Sequence, residues 1–169
     1  MRPQGFLVVI QKPSDSVGTP NARYRGIDRL PPYSPTGSVP AALDDYVFGE
    51  YKDASGLIPD LSLAKDLLNR LNYRPNPMEI IYVIEHDSGN EAPPNFQFLG
   101  FDVAGETPFW SIVGDLPQNP RTDLILKTLN HNGLFDRAAD AENYLQDYRA
   151  NWLTDPDLKM SIWEIFLVK

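Results

Sequence analysis

The sequence contains no cysteine, and this absence excludes several classes of chemistry together. Disulfide frameworks, thiolate zinc sites and cysteine nucleophiles all require the missing side chain. Histidine is nearly as scarce, because His86 and His131 are the only two in the chain. We therefore predict no cofactor and no bound transition metal, since two separated histidines without thiolates provide few strong ligands.

Long apolar segments are also missing. The run at 5–10 is shorter than a signal-peptide core and lacks a small-residue cleavage site. The longest later runs, at 78–84 and 162–168, are much shorter than the roughly 18 residues that a membrane span needs. We expect a cytoplasmic protein that does not cross a membrane.

Basic residues are fewer than acidic ones in this chain. The chain has 15 lysines and arginines against 23 aspartates and glutamates, which gives a net charge of -8 and a pI near 4.6. Such a surface repels phosphate backbones and anionic lipid heads, so we expect neither nucleic acid nor a membrane as partner. It would attract a basic protein, although negative charge also serves solubility alone.

Well-known catalytic motifs do not occur in the sequence. Gly-x-Ser-x-Gly, glycine-rich phosphate loops, His-Glu-x-x-His and EF-hand spacing are all absent. His86 lies between Glu85 and Asp87, which could favour its protonated form or join it as metal ligands, but a solvated strand end explains the same pattern. His131, within Asn-His-Asn-Gly, is explained by a helix C-terminus. Asp102 and Asp115 could approach each other across a hairpin as an acid and base pair, but turn aspartates are common for local hydrogen-bonding reasons. We predict that the protein is not an enzyme.

The composition predicts one globular domain over residues 1–169, with 42% hydrophobic and 22% charged residues. Prolines at 13, 20, 31, 32, 35 and 40 leave no room for a regular element, so 11–42 is predicted to be a long irregular segment. The remaining pattern predicts an α+β fold, with a mostly antiparallel sheet of four to five strands and about three helices packed on one face. The predicted strands are 5–10, 78–85, 96–103 and 161–168, and the predicted helices are 60–72, 123–129 and 136–152. The strands at 78–85 and 96–103 are expected to form a long hairpin.

The best candidate for a binding site is the segment 44–53, where acids and aromatics alternate. Aromatic anchors inside a charged rim are typical of interface hot spots. A half-buried edge strand is the alternative explanation of the same pattern. The candidate binding residues are Asp44, Asp45, Tyr46, Phe48, Glu50, Tyr51 and Asp53.

The C-terminal half, at about 78–169, resembles a set of small bacterial proteins that includes immunity proteins of polymorphic toxin systems. The similarity lies in the stretch 98–103, in Leu-Asn-His-Asn-Gly-Leu-Phe-Asp at 129–136, in the Ala- and Glu-containing helix at 138–148 and in the closing strand. The resemblance implies a cytosolic antidote that binds and blocks a cognate toxin, and it identifies no binding residues. The sequence therefore predicts a non-catalytic protein-binding module. The alternatives are an accessory or scaffold subunit of a larger assembly, and a small hydrolytic enzyme using His86, Asp87, Asp102 or His131.

Overall fold

A computed structural model describes residues 4–10, 57–71, 78–105, 124–125, 127–130, 132–151 and 157–169. These residues form a four-stranded antiparallel sheet with two helices, which confirms the α+β class. None of the helices in these parts of the chain is long and apolar enough to cross a bilayer. In chain order the elements are β1 (Gln4–Ile10), α1 (Leu61–Leu71), β2 (Met78–Glu85), β3 (Gln97–Gly105), α2 (Ala138–Asn151) and β4 (Met160–Leu167).

The strand order is β1-β2-β4-β3, so the predicted hairpin between β2 and β3 is wrong. The closing strand β4 lies between them, and Ile165 pairs with Val83 on one side and with Gly100 on the other. The physical reason is the composition of β4, which is apolar on both of its faces. An interior position buries both faces and also satisfies the backbone groups on both edges.

Both helices pack on the same face of the sheet, as expected. α1 buries Ala64 and Leu67 against β1 and β2. α2 buries Ala141 and Leu145 against β3 and β4. The opposite face also carries a buried apolar cluster, and its largest buried side chain is Trp163, whose Nε1 donates to the Gly105 carbonyl at 3.1 Å.

The described part of the chain has two helices, so the prediction of about three is too high. Around the predicted helix 123–129, residues 124–125 are helical and 127–128 form a turn. The Thr128 backbone N–H donates to the Ile125 carbonyl, three residues earlier in the chain. Leu129 then forms an antiparallel bridge with Phe135. Phe135 is in turn bridged to Phe101 of β3, so Leu129 joins an extension of the sheet instead of a helix.

The bridges at the two sheet edges are built alike. Ile58 and Phe6 exchange backbone hydrogen bonds of 2.8 and 3.0 Å beside β1. Phe135 and Phe101 exchange two bonds of 2.8 Å beside β3. Because each outer strand has such a neighbour, part of its hydrogen-bonding edge is paired instead of open to another chain.

Candidate functional site

The candidate segment 44–53 lies outside the described residues, and so do His131 and Asp115. Binding through that segment therefore remains a prediction. Asp102 is described and is fully buried, with its Oδ1 accepting from the Val103 backbone N–H at 2.7 Å. A carboxylate in that position has no open path to a substrate. His86 and Asp87, by contrast, lie among other polar side chains.

Glu164 occupies an unusual place in the centre of the helix-bearing face. It projects from the interior strand β4, and its register neighbours are Ile84 on β2 and Phe101 on β3. Its side chain is 27% exposed. A carboxylate on such an apolar surface is stable only with a hydrogen-bonding partner, because its loss of hydration must be offset.

His86 is the partner of Glu164. The His86 Nδ1 lies 2.7 Å from Glu164 Oε1, and the His86 backbone N–H donates to the Ile162 carbonyl at 2.8 Å. The ring also meets the edge of Phe101, with a centroid distance of 5.2 Å. Because a carboxylate only accepts hydrogen bonds, the hydrogen of a neutral His86 ring belongs on Nδ1. The lone pair of Nε2 is then directed away from Glu164.

Two further carboxylates lie near the His86 ring. Asp87 follows β2 with φ of 58°, a conformation that aspartate tolerates better than most residues, and its Oδ1 lies 3.6 Å from His86 Nε2. Glu142 projects from α2. The ligand atoms of His86, Asp87 and Glu142 all lie within 4.8 Å of one another. We call these three residues with Glu164 the His86 cluster.

An aromatic patch adjoins the His86 cluster and consists of Phe98, Phe101 and Phe166. The ring of Phe98 lies 5.0 Å from that of Phe101 and 5.3 Å from that of Phe166, in tilted to edge-on geometries. Phe98 is 43% exposed. Phe101 contacts both Phe98 and His86, so it joins the aromatic patch to the cluster.

A separate recess of about 280 Å³ lies along α2. Its wall includes the side of α2 that carries Asp140, Asn143 and Asp147, and Leu124 on the other side is 64% exposed. Asp140 is already engaged with Arg137 through two hydrogen bonds of 2.7 and 2.8 Å. That ion pair lowers the pKa of Asp140, chiefly through the hydrogen bonds from Arg137.

Comparison with known proteins gives no relative for this chain. It matches no protein-family model, no curated protein and no solved structure. The similarity to immunity proteins therefore remains a prediction from the sequence.

Sequence reasoning weighed His86 and Asp87 but missed Glu164, Glu142 and Phe98. For Glu164 a signal did exist. It is the single charged residue within the apolar closing strand Met160–Leu167, and a charge in the interior of a strand usually has a partner. No comparable signal marks Glu142, which becomes a neighbour of His86 only because α2 packs on β3 and β4.

Proposed function

We propose that this protein is a non-catalytic module that binds a basic protein partner. The observation that supports this most directly is Phe98, an aromatic side chain that is 43% exposed and braced by Phe101 and Phe166. Bracing matters because a ring already held in place loses little conformational entropy when a partner covers it. Exposed aromatics of this kind are common at interface hot spots.

The charge of the chain supports a basic partner. The net charge is -8, and Glu164 and Glu142 lie on the side of the aromatic patch that Phe101 occupies. Arginine suits such a surface, since its guanidinium can stack on a phenyl ring and donate to a carboxylate. Long-range attraction would also accelerate the encounter of the two proteins.

Neutralisation of a bacterial toxin is the specific role that we propose within this class. Its support is the resemblance of the C-terminal half to immunity proteins, together with an acidity that complements a basic toxin. The segment 44–53 is proposed to add a second set of acidic and aromatic contacts. Both proposals need a partner to be identified.

The test begins with capture of partners from the source cell on immobilised wild-type protein, followed by purification of each candidate. Association and dissociation rates are then measured between 50 and about 500 mM salt, a range over which exposed charges become strongly screened. We expect a basic partner with 1:1 stoichiometry whose association slows as salt rises. An acidic partner, or an association rate that salt leaves unchanged, would contradict the proposal.

A further inference from the structure

We infer that the His86 cluster is a binding site for one divalent transition-metal ion, with zinc as the best-fitting probe. The proposed ligands are His86 Nε2 and one carboxylate oxygen each from Asp87 and Glu142. This site shares Glu142 and Glu164 with the acidic surface proposed above, and titration of the isolated chain with zinc tests it without any protein partner. It also reverses our expectation from the sequence, which counted histidines and thiolates and had no means of placing Glu142.

The orientation of the imidazole is the first argument. Glu164 Oε1, at 2.7 Å from Nδ1, fixes the tautomer that leaves Nε2 with a free lone pair. Histidines that ligate metals almost always donate their other ring N–H to a carboxylate, a carbonyl or water, and a carboxylate makes the ligand more basic. His86 thus has the arrangement of a metal ligand together with the group that orients it.

The spacing of the ligand atoms is the second argument. Zinc bonds to nitrogen and oxygen are about 2.0 to 2.2 Å long, so two ligands of one tetrahedral ion lie about 3.4 Å apart. The distance of 3.6 Å between His86 Nε2 and Asp87 Oδ1 is close to that value and is long for a hydrogen bond. Because no two of the three ligand atoms are more than 4.8 Å apart, each pair would have to approach by about 1.4 Å at most. Asp87 and Glu142 are both exposed, and His86 is half-buried.

The donor set indicates the class of ion. Imidazole nitrogen favours zinc and other first-row transition metals over calcium and magnesium, which prefer oxygen ligands. Three protein ligands leave a fourth position for water or for a group on a bound molecule. The ion would also connect α2, through Glu142, to the end of β2, so binding should raise the melting temperature of the protein.

The experiment is calorimetric titration of the metal-free full chain with Zn²⁺, accompanied by thermal melts. We expect one ion per chain with a dissociation constant in the micromolar range or below. His86→Ala and Glu142→Gln should each abolish the tight phase. Glu164→Gln should weaken it by roughly 10- to 100-fold, as expected for a residue that orients a ligand. Glu79→Gln, a carboxamide substitution at the opposite end of β2, is the matched control and should bind as the wild type does.

Thermal melts of each variant without metal show whether a loss of zinc binding comes from the loss of a ligand or from unfolding. A variant that no longer melts cooperatively is replaced by His86→Gln or Asp87→Asn. Calcium is titrated in parallel and should bind much more weakly than zinc. Three results would each overturn the inference. They are millimolar or substoichiometric zinc binding by the wild type, unchanged binding by folded variants of His86 and Glu142, and equal losses in the Glu79→Gln control.

Discussion

Replacement of Gly100 by alanine tests how β3 is joined to the bridge at Phe135. Gly100 lies at a bulge in β3. Its backbone φ is 144°, an angle that residues other than glycine rarely adopt. A Cβ there would lie 2.7 Å from Leu134 Cβ and 2.8 Å from the Phe135 carbonyl oxygen. Both contacts are too short, and one involves backbone that is already hydrogen-bonded to Phe101. The substitution therefore combines backbone strain with a steric clash.

Two other glycines separate these contributions. Gly89 has a φ of 77° but open space around its Cα, so Gly89→Ala measures backbone strain alone. Backbone strain should lower the free energy of unfolding by about 1 to 2 kcal/mol. About 0.4 to 1 kcal/mol of this loss is offset, because alanine gives the unfolded chain less conformational entropy than glycine does. At Gly5 no positive φ is involved, but a Cβ would lie 2.8 Å from Leu57 Cβ. Gly5→Ala thus measures crowding, at about 1 to 3 kcal/mol.

Gly100→Ala should therefore lower the free energy of unfolding by about 2 to 4 kcal/mol, a large share of the roughly 5 to 15 kcal/mol that holds a typical domain together. The assay is urea unfolding of the three variants and the wild type, with the slope compared to verify that the same surface is exposed. If Gly100→Ala proves no more destabilising than Gly89→Ala, the chain at 134–135 does not lie against β3 as described.

Three other predictions concern the closing strand, a helix cap and the acidic segment. Deletion of 161–169 should abolish cooperative folding, because β4 pairs with both β2 and β3, and a soluble truncation with a sharp thermal transition would contradict this. Asp60→Ala should lower the melting temperature, because Asp60 Oδ1 accepts from the Ser62 backbone N–H at 2.6 Å at the start of α1. Hydrogen bonds from Ser62 lower the pKa of Asp60 below its ordinary value of 3.8. The cap should therefore stabilise the protein fully above pH 3.8 and progressively less as the pH falls through the lowered pKa. The melting temperatures of the wild type and of Asp60→Ala should converge in acid. The charge-reversed variant of the segment 44–53 is Asp44→Lys/Asp45→Lys/Glu50→Lys. It should stay folded but associate more slowly with the partner, which stopped-flow kinetics would measure.

Local signals in the sequence were sufficient for the four strands and for two of the three predicted helices. The helix predicted at 60–72 is Leu61–Leu71, and Asp60 caps it through a short-range hydrogen bond that its residue type alone suggests. Gly133, the last residue of the Asn-His-Asn-Gly series, has a left-handed conformation with a φ of 73°, as a residue after a helix often does. It ends a tight turn between Leu129 and Phe135 instead of a helix, because the bridge to β3 involves residues about 30 positions earlier in the chain.

The features that the sequence did not predict arise from pairing between strands that are far apart in the chain. No pattern within β2 or β3 indicates that a strand some 60 residues later will insert between them. The His86 cluster depends on that insertion, since it brings Glu164 beside His86. The aromatic patch has the same origin, because Phe98 meets Phe166 only through the pairing of β3 with β4.

We propose that Phe98 anchors a protein partner, and the most direct test is the dissociation constant of the purified complex for wild type, Phe98→Ser and Leu158→Ser. Leu158 is the matched control, because it is 48% exposed and lies outside the aromatic patch. A hot spot contributes at least about 2 kcal/mol, which corresponds to roughly 30-fold in affinity. We expect a loss of that size for Phe98→Ser with little change in melting temperature, and nearly wild-type binding for Leu158→Ser. Equal affinities for a folded Phe98→Ser variant and the wild type would contradict it.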